Sequence, residues 1–101
     1  MKIYIAGGVT GSTQAPGSFL RAALKIQAVG HIPLHTQVLP EGLSENAYMD
    51  IAFAMVRECD AIYCLPDWED SDGAIAEVAY AKKLHLPIFT NVAEIRNLLK
   101  F

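Results

Sequence analysis

The chain has 101 residues, 52% of them hydrophobic and 19% charged, with a formal net charge of −3. That length suits one small domain over 1–101, and the apolar content excludes a disordered chain. The negative balance argues against a nucleic-acid polymer as partner, and no run approaches the roughly 20 apolar residues of a membrane span.

Lys2 to Ala6 alternate and are β-rich, which reads as a first strand and not as a signal peptide. Gly7-Gly8-Val9-Thr10-Gly11-Ser12 follows as a glycine-rich turn. Ser18 is placed to cap a first helix with Phe19, Leu20, Ala23 and Leu24 at helical spacing, and Gly30 ends it. His31 to Thr36 reads as a short second strand, suited to a sheet edge by Pro33. Ser44 with Glu45 to Cys59 makes a second helix, its apolar face carrying Tyr48, Ile51, Ala52, Met55 and Val56. Ala61-Ile62-Tyr63-Cys64-Leu65 is the continuous apolar run of a central parallel strand, stopped by Pro66. An acidic loop leads into a third helix from about Gly73 to Leu84. Pro87 to Thr90 is a fourth strand, and Val92 to Leu99 a closing helix.

Strands that alternate with helices predict an α/β fold. For so short a chain it is a flavodoxin-like, doubly wound parallel sheet of four or five strands, order 2-1-3-4, with helices on both faces. In that order the first and third strands are neighbours, and a crevice opens between their carboxyl ends. The loops GGVTGS and PDWEDSDG leave those two ends and face each other across it.

The glycine-rich loop can offer unobstructed N–H groups, and Thr10 and Ser12 add hydroxyls. It suits a phosphate or a sugar, or is simply a turn, and it matches neither the P-loop nor the dinucleotide fingerprint. Glu77 lies one turn into the third helix, where Gly73, Ala74, Tyr80 and Ala81 share its face. A partly desolvated carboxylate beside a pocket is a nucleophile or a base; a solvent-facing glutamate is the plainer reading. Tyr4 either reaches a carboxylate in the crevice or is a half-buried strand tyrosine. Trp68 either stacks on a base or lines the rim. His31 and His35 have no third ligand in view, so neither a metal nor a cofactor is expected. Cys59 and Cys64 read as reduced, buried thiols of a cytoplasmic protein. A core this small is marginal alone, so a homo-oligomer, a dimer or higher, is expected.

Several of these stretches belong together. Lys2-Ile3-Tyr4-Ile5-Ala6-Gly7 with Thr10-Gly11 comes first, then Cys59 to Pro66 with Trp68-Glu69-Asp70-Ser71, then Gly73-Ala74 and Glu77. The set spans nearly the whole chain and resembles the nucleoside 2-deoxyribosyltransferase-like superfamily, in particular a short phage and bacterial branch built on a domain of unknown function. The resemblance implies a flavodoxin-like fold, usually dimeric, that cleaves the N-glycosidic bond of a (deoxy)nucleoside or its 5′-monophosphate. It implies that Glu77 is the nucleophile and that Tyr4 orients it. Ser71 falls where the monophosphate hydrolases place a phosphate-contacting serine and the deoxyribosyltransferases an aspartate, which tilts the reading towards a nucleotide. Gly7, Gly8, Thr10, Asp72 and Gly73 fall on the loops that would hold sugar or phosphate. The aspartate that helps protonate the leaving base lies eight residues before the one heading the third strand; that position is Ala52 here. Asp50 is two residues away, roughly 200° around an ideal helix. The proton donor stays open among Asp50, Asp70 and Asp72, and Ala52 favours the alternative of a non-catalytic nucleotide-binding module.

Overall fold

The computed structural model of the chain describes residues 1–8 and 17–97. The β-rich start forms β1 (Lys2–Ala6), and after the glycine-rich segment the chain turns into α1 (Ser18–Ala28). β2 (Ile32–Leu34) and a 3₁₀ turn (Thr36–Val38) lead to α2 (Glu45–Glu58). β3 (Ala61–Cys64), a second 3₁₀ turn (Trp68–Asp70) and α3 (Asp72–Lys83) follow, then β4 (Ile88–Phe89) and α4 (Val92–Asn97). All pairings are parallel, in the order β2-β1-β3-β4. Tyr4 sits in the middle of the sheet, between Leu34 of β2 and Ile62 of β3.

The cap of α1 and the end of β2 differ from the sequence reading. Ser18 is not the cap of α1 but its first helical residue; Gly17, at φ 82°, is the cap and makes no side-chain cap bond. The left-handed backbone there turns the chain into the helix, a conformation glycine adopts without cost. β2 stops at Leu34, because the backbone winds into a 3₁₀ turn that the Leu39 N–H closes on the Thr36 carbonyl at 3.0 Å. Positions 98 and 99 of the closing helix lie outside the described residues, so the helix is seen as Val92–Asn97.

Alternation along the central strands divides the core in two. Ile3, Ile5, Ala61 and Tyr63 face α1 and α4, where they meet Phe19, Ala23, Ile26 and Ile95. Tyr4, Ala6, Ile62 and Cys64 face α2 and α3, where they meet Ala52, Val56, Ala74, Val78 and Ala81. The ends of α1 and α3 close alike. Gly30 and His31 donate their N–H groups back to Gln27 and Ile26, and His85 and Leu86 donate theirs to Lys82 and Ala81. This is the Schellman arrangement, which requires a left-handed residue just past the helix. Gly30 (φ 89°) fills that position in one and His85 (φ 61°) in the other.

Candidate active site

The even positions of β1 point to the α2/α3 side, which sends the Tyr4 phenol beneath α3. α3 begins firmly: Ser71 is its N-cap, and the Ser71 Oγ accepts the Ala74 N–H at 3.2 Å. From that start Ala74, Glu77, Val78 and Ala81 form the buried stripe of the helix, so Glu77 points at the sheet. Only 7% of Glu77 is exposed, which overturns the plainer reading of a solvent-facing glutamate. Tyr4 is buried as well, and its Oη donates to Glu77 Oε2 at 2.8 Å.

Burial pushes the Glu77 carboxyl up from 4.5 to about 7, and the Tyr4 hydrogen bond pulls in the opposite direction by favouring the charged form. Among the described residues no cation pairs with Glu77. Burial, and then the nearby carboxylate, raise Tyr4 far above the usual phenol value, so it keeps its proton and remains a donor at any working pH. Two thiols flank the pair, Cys59 towards Tyr4 and Cys64 towards Glu77; burial pushes them up to about 12 and about 11, so they carry no charge at neutral pH. The result is a buried carboxylate half ionised near neutrality and, among the described residues, held by the Tyr4 hydrogen bond. Such a group can act as a nucleophile or a base without competition from a salt bridge.

A third hydroxyl belongs to this arrangement, and the sequence reading missed it. Thr36 lies close enough to Tyr4 to pull its phenol's pKa down, the effect of a hydroxyl proton directed at the phenol oxygen. The one sequence signal was its place at the end of the expected second strand, beside the first.

The other candidates are distributed around the pair. Gly7 and Gly8 are buried at the carboxyl end of β1. Thr10, and with it most of the glycine-rich loop, lies outside the described residues. Trp68 is half-buried in its 3₁₀ turn and packs on the α2/α3 core. Asp72 is the exposed first residue of α3. Gly73 is not demanded sterically, since a Cβ there would meet Met49 Sδ at 3.7 Å and Ser71 Oγ at 3.8 Å, ordinary contacts. Asp50 is exposed on α2, whereas Ala52 is 1% exposed and packs in the core that contains Tyr4. Among the described residues no three His, Cys, Asp or Glu side chains gather as a metal site, and no helix is long and apolar enough to cross a membrane.

Comparison with known proteins adds the family. Residues 1–90 match the model of a domain of unknown function, DUF4406. The chain belongs to this family. The fold of this DUF4406 domain is that of the 2-deoxyribosyltransferases. It superposes on the enzyme from the psychrotolerant bacterium Bacillus psychrosaccharolyticus with a TM-score of 0.74 at 15% identity, covering 96% of this chain and 91% of that one. With the 2-desoxiribosyltransferase from Leishmania mexicana the TM-score is 0.68 at 22% identity, covering 86% of this chain. The DUF4406 chain spans only 61% of the Leishmania chain. No curated protein sequence matches it.

Proposed function

We propose that this chain, acting as one domain over 1–101, cleaves the N-glycosidic bond of a (deoxy)nucleoside or its 5′-monophosphate. Glu77 is the nucleophile. The observation that carries this reading is the buried Tyr4–Glu77 hydrogen bond at 2.8 Å, between the middle of the central strand β1 and the helix that follows β3. In its ionised form Glu77 attacks the anomeric carbon as the base departs through an oxocarbenium-like transition state. Water then releases the sugar, or a second base accepts it, with retention overall. Tyr4 holds the attacking carboxylate in place. Ser71 accepts from Ala74 and keeps its own proton to donate, which suits a phosphate oxygen beside the start of α3. Gly7, Gly8, Thr10, Asp72 and Gly73 serve the sugar and phosphate, and Trp68 the base. The similarity to 2-deoxyribosyltransferases supports the substrate class.

A second reading rests on Ala52, which occupies the position where the resemblance places the acid, while Asp50 points to solvent. In that reading the domain binds a nucleotide and leaves it intact. One experiment separates the two. The purified protein and Glu77→Ala are incubated with each deoxynucleoside and its 5′-monophosphate, with and without a second free base, and free base is followed by chromatography. Base release that disappears in Glu77→Ala is the expected result. Release that persists in the variant would remove Glu77 from the mechanism. A nucleotide that raises the melting temperature and loses no base would establish the second reading.

A further inference from the structure

β1 and β2 pair in parallel with Tyr4 opposite Leu34, and Leu34 packs on the α2/α3 side of the sheet. His35 is fully extended (φ −161°, ψ 163°), so Thr36, two residues beyond Leu34, returns to that same side. Its backbone is pinned there. The Thr36 carbonyl accepts the Leu39 N–H at 3.0 Å, and His35 Nδ1 accepts the Gln37 N–H at 3.1 Å. The His35 ring rests on Phe19 of α1 with centroids 5.5 Å apart. Further on, the Tyr48 hydroxyl donates to the Pro40 carbonyl and ties the following loop to α2.

A phenol has one proton to give and lone pairs to receive. Tyr4 gives its proton to Glu77. We propose that Thr36 is a positioning residue of this site: its hydroxyl donates to Tyr4 Oη, so that the phenol's single proton stays directed at Glu77. A hydroxyl that accepts a hydrogen bond also donates a stronger one, so the chain Thr36→Tyr4→Glu77 strengthens its last link. The groups facing the pair add no competing charge, since both thiols stay protonated and the pinned strap carries only His35, whose pKa burial lowers. The proposal rests on Glu77 as the reacting carboxylate, but its main test needs no turnover.

The test is the pH titration of the Glu77 side-chain carboxyl, followed by carbon-13 NMR in the intact chain. Tyr4→Phe raises the midpoint above its value of about 7, because the bond that favours the charged form is gone. Thr36→Val raises it by about 10–30% of that displacement, and Thr36→Ser restores it. In the Tyr4→Phe background, Thr36→Val moves nothing, because the link that carried its effect is absent. No displacement in Thr36→Val would overturn the proposal. So would a displacement that persists without the Tyr4 hydroxyl, which would make Thr36 a matter of burial alone. On a substrate that releases base, Thr36→Val is expected to lower kcat about twofold with KM unchanged, and to move the rising limb of the pH profile with the titration. If wild type releases no base, the proposed activity fails, yet the titration still decides the role of Thr36.

Discussion

The side of the sheet under α1 and α4 buries Ile3, Ile5, Phe19, Ile26 and Ile95, all apolar and tightly interleaved. The side under α2 and α3 holds Val56, Ile62 and Val78 as well, and adds to Tyr4 and Glu77 four alanines, Ala6, Ala52, Ala74 and Ala81, and two thiols. One side stabilises through burial of large apolar surface. The other accepts a carboxyl group held out of water, which costs free energy whenever it ionises. Stability and the candidate chemistry are thus separated by one sheet only a residue thick, and strand alternation keeps them apart.

The strongest way to break this division is to remove the charge. Glu77→Gln should lower base release roughly a thousandfold or more, because the proposed nucleophile is gone. It should also stabilise the fold at high pH. The carboxyl titrates at about 7 in the folded chain, above its ordinary 4.5, so the folded state holds the proton more tightly. Its contribution is fully present below about pH 4.5 and is lost as pH rises through 7. At roughly 1.4 kcal/mol per pH unit, the gap amounts to about 3 kcal/mol. Urea denaturation across pH should therefore show the wild type losing about 3 kcal/mol relative to Glu77→Gln between pH 4 and 8. A flat difference would mean that Glu77 is better solvated than its 7% exposure implies.

The same comparison is sharpened from the opposite side of the sheet. Ile26 is completely buried among the α1 core residues. Ile26→Ala should cost about 2–5 kcal/mol of unfolding free energy through lost transfer and a residual cavity. The Glu77 midpoint and the base release per folded molecule should not move. A shifted midpoint would show that the two sides are mechanically coupled.

Much of this arrangement was legible beforehand, because it depends on short-range patterns. Period-two alternation in β1 placed Tyr4 opposite Ile3 and Ile5, and the continuous run in β3 marked a central strand. The sheet order followed from handedness and chain length, and it brought strands one and three together. Glu77 was harder to read, since helical spacing names the residues on its face but not whether that face turns inward. Long-range packing against Tyr4, seventy-three positions away, settles that. Thr36 escaped because the second strand was extended through it, whereas the backbone begins a 3₁₀ turn at that residue. Ser18 failed as a cap for a different reason: Gly17 already makes the turn with its backbone.

The smallest effect contrasts the ends of two helices, one on each side of the sheet. α1 ends on Gly30 and α3 on His85, with the same pair of backbone hydrogen bonds and positive φ values of 89° and 61°. An L-residue held left-handed is destabilised by about 1–2 kcal/mol, and glycine is not. Replacing His85 by glycine removes that strain but gives the unfolded chain more freedom, an opposing cost of about 0.4–1 kcal/mol. His85→Gly should therefore raise unfolding stability by about 0.5 kcal/mol in urea denaturation at pH 8. A loss on substitution would instead assign His85 a contact worth more than the strain it bears.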